Sequence, residues 1–104
     1  MVTYCYIFNF LEAFKCVFNF FKEVFSLVKK VFIGVGHGGK DSGAVGCLVE
    51  KEVNLVEALA CRDFLEVHGV QVLMSRTSDE EDPLTDEIKE CNAFNPDLAV
   101  DIHN

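Results

Sequence analysis

Positive charge is scarce in this sequence. Nine Lys and Arg stand against 17 Asp and Glu in 104 residues, a formal net charge of −8. Phosphate binding needs clustered basic side chains, so nucleic acid is excluded as a partner. Cysteine pairing is also missing. Cys5, Cys16, Cys47, Cys61 and Cys91 are odd in number and none stands in a C-x-x-C pair. Neither a disulfide framework nor a thiolate zinc cluster is supported, and free thiols of a reducing compartment are the simplest reading. No run of about 18 apolar residues survives, because Glu12, Lys15, Lys22 and Glu23 interrupt the Phe-rich start of the chain, which excludes a membrane span there. The same stretch lacks the basic n-region and small-residue cleavage site of a signal peptide. No G-x-S-x-G elbow occurs, which argues against a serine hydrolase. Repeats and low-complexity linkers are absent, and with half the residues apolar wholesale disorder is excluded.

What is present falls into two parts. Residues 1–30 carry a small positive balance, whereas residues 31–104 hold 15 of the acidic residues. In the first part Phe10, Phe14, Val17, Phe21, Val24 and Val28 recur at alternating spacings of four and three, widened by Leu11, Phe18 and Phe25. Glu12, Lys15, Asn19, Lys22, Glu23, Ser26 and Lys29 take the opposite side. That pattern predicts an amphipathic helix. Such a helix suits a membrane interface, a partner helix, or a face of the domain that follows.

From Val31 the pattern alternates between strands and helices. Strands are expected at 31–35, 70–75 and 98–103, and helices from about Glu50 to His68 and from Thr85 to about Ala93. The first of these helices has apolar residues at Val53, Leu55, Val56, Ala58, Leu59, Ala60, Phe64, Leu65 and Val67, the pattern of a helix covering a sheet. Gly69 stops it, and Thr85 is a candidate N-cap for the second. The order β-α-β-α-β predicts an α/β domain with a parallel sheet and flanking helices.

The first strand runs into Gly34-Val35-Gly36-His37-Gly38-Gly39. This string fits G-x-G-x-x-G formally, but the chain stays glycine-rich and irregular to Gly46 instead of opening a helix, which disfavours a dinucleotide site. His37 follows strand one and His103 ends strand three. Parallel strands put both at one edge of the sheet. Glu50, where the glycine loop meets the first helix, completes a possible His-Glu-His zinc site with an open position, and Glu52 meets the spacing equally. Arg76, after strand two, suits a substrate carboxylate or the acidic loop 79–82, which otherwise reads as solvated. Asn54, one turn after Glu50, can face the site or cap a loop. Asp101 shares a strand face with His103, as an orienting partner for it or a substitute base. His68 reads as a partner of its helix C-terminus or as a solvated side chain.

Four separated motifs carry a resemblance. Gly36-His37-Gly38-Gly39-Lys40-Asp41-x-Gly43-Ala44-x-Gly46, then Glu50-Lys51-x-Val53-Asn54-Leu55, then Ser75-Arg76, then Ile102-His103, resemble the zinc-dependent N-acetylmuramoyl-L-alanine amidases of the amidase_3 type. The resemblance spans residues 31–104. It implies that His37, Glu50 and His103 bind Zn2+, with Glu50 preferred to Glu52 because the family's ligand stands in the Glu-Lys-x-x-Asn-Leu string. It further implies cleavage of the amide between muramic acid and L-alanine in peptidoglycan, at the bacterial cell wall. The family also uses a second, catalytic glutamate near the end of a later strand, and no position here matches it. The expectation is thus an incomplete amidase_3-like domain preceded by an unrelated helix. Loss of a general base typically costs about 10²–10⁴-fold in rate. The rival expectation is a non-catalytic protein: a metal-binding remnant, or a module held at a membrane or partner by residues 1–30.

Overall fold

The computed structural model describes residues 10–104, with side chains described from 15 onward apart from 24 and 25. The expected stripe positions Phe10, Leu11, Phe14, Val24 and Phe25 therefore lie outside the described side chains, and residues 1–9 outside the described chain. Six elements follow in order: α1 (Phe10–Leu27), β1 (Lys30–Val35), α2 (Glu50–Val67), β2 (Gln71–Met74), α3 (Leu84–Phe94) and β3 (Leu98–Ile102). The strands form one sheet in the order β2-β1-β3. Both pairings are parallel, with Val31 opposite Val72 on one side and Leu98 on the other. The α/β architecture expected from the sequence is therefore present.

β1 is central, and five of its six residues are buried. Its side chains alternate between two faces. Val31, Ile33 and Val35 meet Ala58, Val70 and Met74, with Leu55, Leu59, Cys61 and Leu65 packed around them. α2 thus covers one face. Its apolar stripe is narrower than the sequence suggests. Val56, Phe64 and Val67 are exposed, because they lie on the turn of the helix away from the sheet. On the other face of β1, Gly34 has no side chain, and a Cβ there would meet the Glu87 carboxylate of α3 at 2.3 Å.

α2 ends in a glycine-closed cap. Gly69 takes φ +81, a conformation glycine adopts without steric cost. Its N–H donates to the Glu66 carbonyl and that of Val70 to the Leu65 carbonyl, the double bond of a Schellman motif. His68 sits beside this cap with Nδ1 2.7 Å from the Phe64 carbonyl. α3 starts one residue earlier than expected. Pro83 is its N-cap and no side chain caps it, so Thr85 lies inside the first turn. The Pro83 carbonyl receives the N–H groups of Asp86 and Glu87.

α1 precedes this domain. Val17, Phe18, Phe20, Phe21 and Leu27 are all more than half exposed, so the described part of the helix does not bury its apolar stripe against the sheet. No helix among the described residues is long and apolar enough to cross a membrane. Cys47, Cys61 and Cys91 are free thiols, but Cys16 is disulfide-bonded, which corrects the expectation that all five are free.

Candidate metal centre

The carboxyl ends of β1 and β3 meet where the strand order reverses. The chain leaves β1 for β2 on one side and returns to β3 on the other. Such a reversal opens a crevice at the strand ends. The Gly36 N–H donates to the Ile102 carbonyl at 3.0 Å, holding the two strands together up to the residues that matter.

Three segments deliver one side chain each. His37 follows β1 and takes φ +63. A left-handed conformation at a non-glycine residue costs on the order of 1–3 kcal/mol and persists only where the surroundings enforce it. Here a tight turn does so: Gly38 and Asp41 exchange both backbone hydrogen bonds, at 2.8 and 3.0 Å. Glu50 opens α2, and His103 directly follows β3. Glu50 Oε1 lies 3.2 Å from His37 Nε2 and 3.3 Å from His103 Nδ1. The two imidazole rings stand edge to face at 5.1 Å. One ligand atom from each residue falls within 4.8 Å of the others.

Room for these groups comes from missing side chains. A Cβ at Gly36 would fall 2.4 Å from the His103 ring. One at Gly43 would fall 2.6 Å from both Glu50 Oε2 and His37 Cδ2. The glycines of the opening motif therefore leave volume for the site as well as turning the chain.

Glu50 is held as an anion. The Ala44 N–H donates to Oε2 at 2.9 Å and the Asn104 N–H to Oε1 at 3.2 Å. The Ala44 bond first, then the Asn104 bond and the charge of His37, bring its carboxyl down to about 2, against the opposing effect of burial. Asp41 lies 2.8 Å from His37 Nδ1. That hydrogen bond, with the charges of Asp41 and Glu50, raises the His37 pKa, and the same bond, with the Gly43 N–H, lowers that of Asp41. Asp101 Oδ2 lies 3.1 Å from His103 Nε2. Glu52, the alternative to Glu50 on spacing, is not in the group. A cleft of about 600 Å³ opens beside the histidines, with Asp82, Glu87 and Asp101 on its walls. Burial, followed by the charges of Asp101 and Asp82, pushes the Glu87 carboxyl up.

The two candidate substrate contacts are engaged with the protein's own polar groups. Asn54 is fully buried; its Nδ2 donates to the Gly36 carbonyl at 2.9 Å and its Oδ1 accepts from Asn104. Arg76 is 2% exposed. Its guanidinium donates to the carbonyls of Val35, Gly36, Lys51 and Ser78. Both side chains brace the end of β1 from behind. The acidic loop is likewise not wholly solvated. Asp79 accepts the Gly39 N–H at 2.9 Å and pairs with Lys51 Nζ at 2.7 Å. Lys51, Asp79 and Asp41 are the working residues that sequence reasoning missed. The only trace of Asp41 was its place in the glycine motif, four residues after His37.

The donor set fits a borderline-soft divalent cation: two imidazoles and one carboxylate, with the fourth side open to the cleft. Comparison with known proteins identifies the family. Residues 31–104 match the family Amidase_3, N-acetylmuramoyl-L-alanine amidase. The chain is 44% identical over 77 residues to the N-acetylmuramoyl-L-alanine amidase CwlM of Bacillus licheniformis, covering 71% of this chain and 30% of that protein. It is 46% identical over 77 residues to the sporulation-specific N-acetylmuramoyl-L-alanine amidase of Bacillus subtilis, again covering 71% and 30%. Among solved structures, AmiC2 of Nostoc punctiforme superimposes with a TM-score of 0.68 at 39% identity, over 72% of this chain and 43% of that one. The chain thus spans about a third of the length of these two curated relatives. With the motifs in order, the sheet superimposable and the His-Glu-His group assembled, the chain belongs to the N-acetylmuramoyl-L-alanine amidase family Amidase_3.

Proposed function

We propose that residues 31–104 form the metal-holding part of a peptidoglycan amidase, with His37, Glu50 and His103 as the zinc ligands. The observation that carries this reading is the convergence of three ligand atoms within 4.8 Å from three separate segments. When bound, zinc supplies Lewis-acid activation of water and of the amide carbonyl between muramic acid and L-alanine. The chain's own contribution is to hold its ligands ready. The Ala44 and Asn104 N–H groups keep Glu50 ionised and aimed. The Arg76 and Asn54 braces fix the carbonyl end of β1, from which His37 projects. Asn54 and Arg76 act on substrate only through this bracing.

Zinc analysis of the purified chain tests the reading. About one ion per chain is expected, lost in His37→Ala and in His103→Ala, and a wild-type chain without zinc would sink it. A second reading keeps the metal without turnover. It is favoured by the reach of the match, which covers 30% of the length of the two curated relatives. Release of free muramoyl ends from purified cell walls separates the two, and weak or no release is expected from this chain alone. Residues 1–30 serve attachment to a membrane surface or a partner helix through the apolar side chains α1 leaves exposed.

A further inference from the structure

The two histidines approach Glu50 through different ring atoms. His37 uses Nε2 and His103 uses Nδ1. In each case a carboxylate holds the other nitrogen: Asp41 Oδ2 at 2.8 Å from His37 Nδ1, and Asp101 Oδ2 at 3.1 Å from His103 Nε2. A neutral imidazole carries one proton, and each ring faces two carboxylates. The aspartate is the nearer in both, since Glu50 Oε1 stands at 3.2 Å from His37 Nε2 and 3.3 Å from His103 Nδ1. The proton thus goes to the aspartate side, and the nitrogen left bare toward Glu50 is the one that binds metal.

We propose that Asp41 and Asp101 are positioning residues that fix opposite tautomers on the two metal-binding histidines, so that His37 offers Nε2 and His103 offers Nδ1 to one point. The proposal rests on the metal-site reading above and goes beyond it. Asp41 is itself held, and Asp101 is given room. Asp41 Oδ1 accepts the Gly43 N–H at 3.1 Å, which leaves Oδ2 for His37. Asp101 stands opposite Gly34 in the register of β3 on β1, where the missing side chain gives its carboxylate room: a Cβ at Gly34 would fall 2.8 Å from Asp101 Oδ1. The carboxylate–imidazole pair is a general device for raising the basicity and fixing the aim of a metal-bound histidine. Here it is built twice, once from the i+4 position of a tight turn and once from two residues back along a strand.

The test has two arms. In metal-free protein held above the ordinary imidazole range, long-range 15N–1H correlation spectra should show His37 protonated on Nδ1 and His103 on Nε2. Asn in place of Asp presents an N–H to the ring if its oxygen keeps the backbone bond. Asp41→Asn should therefore move the His37 proton to Nε2, and Asp101→Ala, which removes the acceptor, should release that of His103 from Nε2. Each variant should weaken zinc binding by about 10–100-fold in a competitive titration, with the thermal unfolding of the metal-free protein little changed. Wild-type spectra with either tautomer reversed would overturn the proposal, as would variants that bind zinc like the wild type. A wild type that takes up no zinc but shows both expected tautomers would overturn the metal-site reading and leave the orientation of the rings standing. Asp101 is about half exposed, so its replacement does not disturb the core and keeps the test open if Asp41→Asn fails to fold.

Discussion

A carbon added at Gly36 would land 2.4 Å from His103 Cε1 and 2.5 Å from its Nδ1. Nothing with a side chain can stand there while the ring keeps its place. Gly36→Ala is therefore expected to push His103 away from Glu50 and cut zinc affinity by at least about tenfold, measured by competitive titration. Gly46→Ala serves as the control, since a Cβ at Gly46 meets nothing within 4 Å; equal affinities in the two variants would refute the argument. The grouping of His37, Glu50 and His103 is legible in the sequence because topology does most of the work. Parallel strands deliver His37 and His103 to one edge, and a helix start delivers Glu50. Asp41 and Asp79 are not legible, because their roles arise from hydrogen bonds inside irregular turns. Arg76 and Asn54 are legible as important, but which of their alternative partners they take is not. Pattern alone cannot tell a polar side chain aimed at solvent from one spending its donors on buried carbonyls.

Between elements, one carboxylate links the start of β1 to the turn before β3. Asp97 Oδ2 accepts the N–H groups of Lys29 and Lys30 at 2.8 and 2.9 Å. Those bonds, Lys29 first, hold its carboxyl below the ordinary 3.8. A carboxyl depressed on folding contributes stability above its unfolded value and loses that contribution as pH falls through the folded one. Asp97→Asn should therefore lower the melting temperature at neutral pH. The gap should close below about pH 4, as read by thermal scans across that range; a gap constant with pH would show that the charge is irrelevant. Lys30 reinforces the same junction, with its ammonium 4.4 Å from the Phe94 ring centre. The elements themselves were readable to within one or two residues, because β1 is β-branched and aromatic and α2 is periodic with a glycine stop. The errors have physical causes. Val56, Phe64 and Val67 widened the apparent stripe of α2 although only one side of the helix meets the sheet. Thr85 has capping chemistry, but Pro83 already supplies the extended residue that starts α3.

At the scale of the whole molecule, charge is unevenly distributed along the chain. The acidic residues gather beyond residue 30, while α1 exposes Val17, Phe20 and Leu27. A body this acidic is repelled by anionic lipid, so attachment through α1 must rest on apolar burial. Flotation with zwitterionic vesicles is expected to carry the chain upward, and Phe20→Glu with Leu27→Glu to abolish it. A wild-type chain that stays with the dense fraction leaves the partner helix as the use of this surface. The site's own layout bears on how the chain folds. His37 and Glu50 are neighbours across one loop, whereas His103 meets Glu50 over 53 residues of sequence. Contacts that close long stretches of chain come late, since their entropy must be lost before they are rewarded. Two thirds of the centre can thus form with the first strand and helix, and the last third waits for β3 to dock beside β1. If His37, Glu50 and His103 hold zinc as proposed, refolding chains are expected to gain tight zinc binding no faster than β3 pairs with β1.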